Sequence, residues 1–467
     1  MKRPLTNILS LSASDVGGRF IGFLITIYLA RILEPSAFGV MNIGMAVLSY
    51  LMLIASPGVQ VLETRNAAAS NTVDEERVGA VLSMRLALAV ALCLLSWFVL
   101  SLLVGASETR DVILLFVVSL VPLALLLDWF FQGRERFELV GMIRLTQYIV
   151  YGVSVVLLVR SGDDVRFAAV AFGVGNLAAA FLTWRLYQKH VGSLRMKWQP
   201  RIWKSVYTEN IPVGFAMFVG QSAINLPAII IGVVLTSTDV GLFSAAMKFI
   251  FVVLMLDRIL NALFLPVATR YFNNRLQDVE FLIGITLKTV LVVAFPLTVC
   301  GIVAAPMAIG LVFGEGYVGA TVLLQILMGF FFLTLMNSIL VCAMIGSGRE
   351  RAYVRVMTVS AFCFVVSVVL LILVAGTQGA AWGVVLGELL TVVLMFLEVR
   401  KFVRVPVVER FGRTLVACAL MGVTAWLLRE AAIVLKVIGP MIVFGVTLLF
   451  VGGLTKEEIR FLKGRFV

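Results

Sequence analysis

The sequence predicts an all-α polytopic membrane protein of about 14 transmembrane helices, built as two six-helix lobes related by an axis along the membrane normal plus a C-terminal helix pair. Three observations predict it. Of 467 residues, 61% are hydrophobic and 14% charged, with a mean hydropathy of +1.06, more apolar surface than a globular core of this length requires. Stretches such as AVLSMRLALAVALCLLSWFVLSLLVG exceed the roughly 20 apolar residues that cross a hydrocarbon core of about 30 Å, and they recur to the C-terminus, leaving no room for a soluble domain. A charged word, GRERF at 133–137, returns as GRERA at 348–352 and splits the chain into comparable halves.

Apolar runs set against charged breaks place the spans near 8–30, 38–63, 80–104, 111–131, 139–159, 167–188, 209–235, 241–268, 281–303, 319–343, 354–375, 379–399, 413–428 and 438–454. The opening MKRPLTNILSLSASDVGGRFIGFLITIYLARIL is as long as a full span and lacks an A-x-A-like site, so a retained first helix is expected rather than a cleaved signal peptide. TLVACALMGVTAWLL in the last pair is short for a span and reads as tilted or partly interfacial. The expected domains are an N-terminal lobe at 1–190, a C-terminal lobe at 205–400, and an additional helix pair with a cytoplasmic tail at 410–467.

Charge orients the spans. One set of loops collects 29 of the 38 Lys and Arg, among them Lys2, Arg3, Arg65, Arg77, Arg134, Arg136, Arg349, Arg351 and the run from Arg185 to Lys204. The opposite loops hold Arg31, Arg110, Arg160, Arg166, Arg429 and Lys436 among acids such as Glu34, Asp111 and Asp239. Both termini are therefore expected on the cytoplasmic side. The net charge of +12 is explained by this bias and by attraction to anionic headgroups, not by nucleic acid. Cys93, Cys300, Cys342, Cys363 and Cys418 are scattered in apolar spans without C-x-x-C spacing, which predicts packing and neither a disulfide framework nor a metal site. His190, the only histidine, lies in a basic connection and reads as a solvated loop residue.

The repeated word sits after the fourth span in one copy and after the tenth in the other. A second match supports duplication: ILEPSAFGVMNIGMA at 32–46 falls on VLTSTDVGLFSAAMK at 234–248, an offset of 202 that pairs Gly39 with Gly241 and Met45 with Met247. The offset of GRERF to GRERA is 13 larger, a difference assigned to the connection APMAIGLVFGEGYVGA. Six spans per unit is even, so both halves enter from one side, as in parallel-repeat transporters.

At this point LARILEPSAFGVMNIGMAVLSY, LDWFFQGRERF, VGLFSAAMKF and GLVFGEGYVGA resemble the polysaccharide transporter, or Wzx-type oligosaccharide flippase, branch of the multidrug/oligosaccharidyl-lipid/polysaccharide exporter superfamily, from the first helix to about residue 400. The resemblance implies two lobes around a cavity open alternately to either side. It implies transport of an undecaprenyl-diphosphate-linked oligosaccharide to the periplasmic leaflet for O-antigen, capsule or exopolysaccharide biosynthesis. It implies no cofactor, and as partners the lipid-linked substrate, the bilayer, and a polysaccharide polymerase and glycosyltransferases. It also implies a cavity lined by the first, second, seventh and eighth helices, with basic residues facing the diphosphate. The first and eighth spans carry such residues; the second carries no buried cation and departs from the pattern.

Charges inside spans are the candidate site. A mid-span ion costs roughly 3 kcal/mol on an insertion scale and usually faces a bundle interior or wet cavity. Arg19 lies about eleven residues into the first span, roughly 16 Å deep, with Asp15 one turn earlier. Either the two form a structural pair, or Arg19 meets an anionic headgroup while Asp15 holds it. Lys248 has no acid at 244, 245, 251 or 252 and is the stronger headgroup ligand. Arg258, next to Asp257, is separated from Lys248 by about 80° on a straight helix, and it either borders the same cavity or braces a neighbouring helix. Gln221 and Asn225 in the proline-rich seventh span predict a polar cavity floor. Glu388 and Asp128 are isolated acids, each a coupling site or a hydrogen-bonded structural group.

The leading expectation is a flippase and not an enzyme. A cation-coupled multidrug exporter would carry a carboxylate-rich cavity, whereas the deep charges here include three cations. A membrane-embedded glycan polymerase or ligase would gather acid/base residues on a large loop, and none of the short outer loops joins His with carboxylates. A scaffold docking a soluble enzyme on 185–204 is the last alternative.

Overall fold

The computed structural model describes residues 2–69, 74–103, 105–274, 276–403, 407–428, 430–431 and 433–451, with the side chains of 2–16, 19, 223, 273–274, 276–277, 407–411 and 433–434 outside the described set. Among the described residues there is no strand. Among the described residues, each of the 14 predicted spans lies mostly on helix.

The first two spans run through α1 (Lys2–Ala55), broken at Glu34. Glu34 holds φ 60 and ψ 170 ahead of Pro35, a region that costs a non-glycine residue strain and that ends one helix before proline opens the next. After the turn at Pro57 and Gly58, α2 (Val59–Ala69) extends the second span. The third is α3 (Glu75–Leu103), where the Asp74 carboxylate accepts the Arg77 backbone N–H at 2.9 Å.

The fourth span is three pieces: α4 (Glu108–Val118), α5 (Leu120–Ala124) and α6 (Asp128–Gly133). Pro122 has no N–H for the carbonyl four residues earlier, so the ladder fails at Val118. At the second break the Arg85 guanidinium donates to Leu123 O at 3.0 Å and Leu126 O at 2.7 Å, meeting carbonyls that the helix end leaves open. Then come α7 (Phe137–Leu158), α8 (Val165–His190) and α9 (Pro200–Val234). In α9, Pro227 leaves the carbonyl of residue 223 without its donor, and the axis bends by 59° between Ser222 and Ile224.

The predicted eighth span is two helices, α10 (Ser237–Val253) and α11 (Met255–Asn274), separated at Leu254. Next are α12 (Leu276–Phe313), α13 (Ala320–Gly346) and α14 (Glu350–Val399). The last holds the eleventh and twelfth spans across a break at Ala375 and Gly376, where φ 56 suits glycine. The final pair is α15 (Val407–Leu427) and α16 (Ile433–Phe450). Nine helical runs among the described residues are long and apolar enough to cross a membrane; α9 qualifies as a bent pair, and α15 and α16 hold shorter apolar stretches.

The chain forms two compact units, Met1–Gly241 and Leu242–Val467. In the first, α1 packs along α7, α4 and α9, and α7 along α8. Trp129, Phe130 and Phe131 of α6 fill a core with Tyr187, Leu82 and Val140. In the second, α13 packs on α14, α12 and α11. Lipid supplies no hydrophobic drive between helices, so close backbone approach matters. Glycines at every fourth position of α14 provide it: a Cβ at Gly379 would meet Leu371 O at 1.8 Å, at Gly383 the Val368 Cα at 2.6 Å, and at Gly387 the Phe364 ring at 2.5 Å. That seam fixes the height of Glu388.

Candidate functional site

The second unit carries a polar network inside its spans. Asp257 on α11 accepts a short hydrogen bond from the Ser338 hydroxyl of α13 at Oδ1, and one from Asn261 Nδ2 at Oδ2, 3.1 Å. Asn261 Nδ2 also lies 3.3 Å from Ser338 Oγ, and its Oδ1 accepts from Cys342 Sγ at 3.1 Å. One residue before Ser338, Asn337 Nδ2 donates to Glu388 Oε1 of α14 at 3.0 Å. Neighbours on a helix point about 100° apart, so α13 presents Asn337 to one carboxyl group and Ser338 to the other. Glu388 is 8% exposed and Asn337 9%. Two acids therefore share one helix as their bridge, and the hydrogen bonds they accept come from neutral amides and a hydroxyl.

Lys248 lies on α10, half-buried, and among the described residues no hydrogen bond or ion pair reaches its ammonium group. Arg258 on α11 is exposed. The 80° separation expected on a straight helix does not apply, because the break at Leu254 puts the two cations on different helices. Asp257 turns to Ser338 and Asn261, and among the described residues it forms no ion pair with its sequence neighbour Arg258.

In the first unit the predicted floor residues meet at the bend of α9. Asn225 Nδ2 donates to Gln221 Oε1 at 3.3 Å, and the Tyr50 hydroxyl donates to Gln221 O at 3.5 Å, with the Tyr50 and Phe218 rings 5.1 Å apart. Gln221 thus touches the second span. Arg19 and Asp15 lie outside the described side chains, although their helix is in place. Asp128 pairs with Arg144 Nε at 3.2 Å on α7.

Sequence reasoning missed a charged cluster where α2, α3 and α9 meet. Glu63, 1% exposed, takes both arms of Arg77 at 2.9 and 2.8 Å, and Arg77 reaches on to Glu209 at 3.3 Å. A cavity of about 280 Å³ adjoins it, lined by Asn66, Trp129, Phe130 and Arg134. The cluster's two acids, Glu63 and Glu209, hold the one guanidinium of Arg77 between them, which makes it a fastening and not a headgroup site. Missed too were Asn261, Asn337 and Ser338. The readable hint was the i, i+4 spacing of Asp257 and Asn261.

Residues 5–272, more than half the chain, match the family model described as "Polysaccharide biosynthesis protein". A protein of Escherichia coli (strain K12) named "Putative O-antigen transporter" is 23% identical over 406 residues, covering 84% of this chain and 96% of that one. Among solved structures, "Lipid II flippase MurJ, inward closed conformation" superposes with a TM-score of 0.77 at 13% identity, covering 94% of this chain and 98% of that one. An inward-facing multidrug resistance MATE family transporter of the MOP superfamily gives 0.63 at 14% identity, over 85% and 97%. These two likenesses show the fold: an all-α, multi-pass membrane protein. The chain belongs to the family described as "Polysaccharide biosynthesis protein".

Proposed function

We propose that this chain is a flippase that moves an undecaprenyl-diphosphate-linked oligosaccharide from the cytoplasmic to the periplasmic leaflet of the inner membrane. The relatives above are transporters or flippases by name, in keeping with a transporter rather than an enzyme. The observation that carries the reading is Lys248, a cation inside a span with no acid partner among the described residues. An ion left in that state is expensive unless a wet cavity or an anionic ligand meets it. A lipid diphosphate supplies that anion, with Arg19 and Arg258 as further cations and Gln221 and Asn225 as sugar acceptors. The lipid tail stays in the bilayer. The halves at 1–190 and 205–400 move relative to each other to exchange access, and the pair at 410–467 follows them. The basic loops and both termini face the cytoplasm, where glycosyltransferases build the substrate; a polymerase receives it on the other side.

The test is flipping of a fluorescent undecaprenyl-diphosphate oligosaccharide in proteoliposomes. Lys248→Ala lowers the initial rate at least about tenfold, the scale of one lost charge-assisted contact, and Lys248→Arg restores most of it. An unchanged rate for Lys248→Ala at equal insertion sinks the reading.

A second element rests on the Asp257 and Glu388 network. A buried acid and a half-buried one, Glu388 and Asp257, whose hydrogen-bond partners are neutral have the make-up of groups that gain and lose a proton as their surroundings change. We assign Glu388 the coupling role, with Asp257 as its companion. Asp128, held by Arg144, is assigned a structural one.

A further inference from the structure

The connection between α8 and α9 is a strap bound to the end of α3. The Lys197 backbone N–H donates to Gly79 O at 3.4 Å, Ser83 Oγ donates to Lys197 O at 2.7 Å, and Trp203 Nε1 donates to Ser83 Oγ at 3.1 Å. Lys197 Nζ pairs with Glu76 at 3.6 Å, and Gln199 donates to the same carboxylate. A Cβ at Gly79 would lie 2.2 Å from Arg195 O, a backbone atom that cannot step aside, so glycine is required for the strap to seat.

An extended strap alternates its faces. Lys197 and Gln199 turn toward α3, whereas Met196 is 43% and Trp198 64% exposed, and the Trp198 ring stands 5.2 Å from that of Trp203. Arg195, Arg201 and Lys204 are exposed around them, and residues 188–204 contain no Asp or Glu. Depth decides the partner. The strap begins where α8 ends, and the 26 residues of α8 measure about 39 Å against a hydrocarbon core of about 30 Å. The strap therefore lies within about 9 Å of the hydrocarbon edge, at the level where Trp collects and where basic side chains meet lipid phosphates.

We propose that the strap is a docking surface for anionic phospholipid headgroups, with Met196 and Trp198 seated at the hydrocarbon boundary and Arg195, Arg201 and Lys204 on the phosphates. Bound lipid then holds the strap level with the membrane, and through Gly79 and Ser83 it holds the end of α3. This reading is independent of what the protein transports.

The experiment uses the full chain in nanodiscs of phosphatidylcholine alone or mixed with phosphatidylglycerol, both with brominated acyl chains. The Trp198 signal is the difference between the wild type and Trp198→Phe. Its quenching by brominated lipid is expected to be at least about twofold stronger with phosphatidylglycerol, and it should lose that dependence when Arg195, Arg201 and Lys204 are all changed to Gln. Native mass spectrometry supplies a second reading that needs no Trp198 variant: the triple variant retains fewer phosphatidylglycerol molecules than the wild type. A Trp198 signal equally open to aqueous iodide in both discs, with equal lipid retention, overturns the proposal and turns the strap over to a soluble partner.

Discussion

The two units treat buried charge differently. Among the described residues of the first, Glu63 is gripped by Arg77, Asp128 by Arg144, and Arg85 rests on helix-end carbonyls. Those of the second leave Lys248 unpaired and give Asp257 and Glu388 neutral partners. A matched pair locks a geometry and resists change of protonation. An acid on an amide tolerates either state. The first pattern is what a fastening needs, and the second is what a responsive site needs.

The largest expected effect breaks the first pattern. Arg77→Ala strands Glu63 at 1% exposure, and removing one member of a buried pair costs about 3–5 kcal/mol. The thermal unfolding midpoint of the purified protein in detergent falls accordingly; restoring it with Glu63→Gln in the same chain confirms that the stranded charge is the cause. No drop in the single variant removes the fastening. Next, Asp128→Asn removes the carboxylate that Arg144 grips and costs about 2 kcal/mol, the scale of a hydrogen bond to a charged group.

The second pattern predicts the opposite balance. Glu388→Gln keeps an oxygen for the Asn337 amide, so stability moves by less than about 1 kcal/mol. Flipping in proteoliposomes nevertheless loses its response to an imposed pH gradient. A variant that remains as gradient-sensitive as the wild type takes the coupling role away from Glu388.

Much of the architecture was legible because spans are a matter of length and composition, and α1 to α16 follow the apolar runs. What periodicity does not carry is how spans break. Pro122 and Pro227 announced their interruptions, but VVLMLD contains no proline or glycine and still breaks at Leu254. The carboxyl network was half legible: Asp257 and Glu388 stand out as charges, whereas Asn337 and Ser338 matter only because α11, α13 and α14 converge. The repeat was legible at the entry to the second spans, where positions 202 apart make matching contacts. A Cβ at Gly39 would meet Ser237 O at 1.8 Å, and one at Gly241 would meet Pro35 O at 1.9 Å. The extra length in the second half is taken up by α12, a helix of 38 residues against 29 in α3, more than by a loop.

The repeated word itself misled by two positions, and the smallest prediction comes from that slip. Letters align Gly133 with Gly348, but α6 ends at Gly133 and α13 at Gly346, an offset of 213. Both turns close alike: Arg136 N–H donates back to Phe131 O at 2.9 Å, and Arg349 N–H to Met344 O at 3.1 Å. The residue before each arginine must be left-handed. In one turn it is Gly348, φ 71, and in the other Glu135, φ 57. Glycine adopts that conformation freely and glutamate does not. Glu135→Gly should therefore stabilise the first unit and Gly348→Ala destabilise the second, each by about 0.5–1 kcal/mol with opposite sign. Paired thermal midpoints check it: two shifts in the same direction would mean that the turns are not equivalent and that the offset of 213 is an accident of helix length.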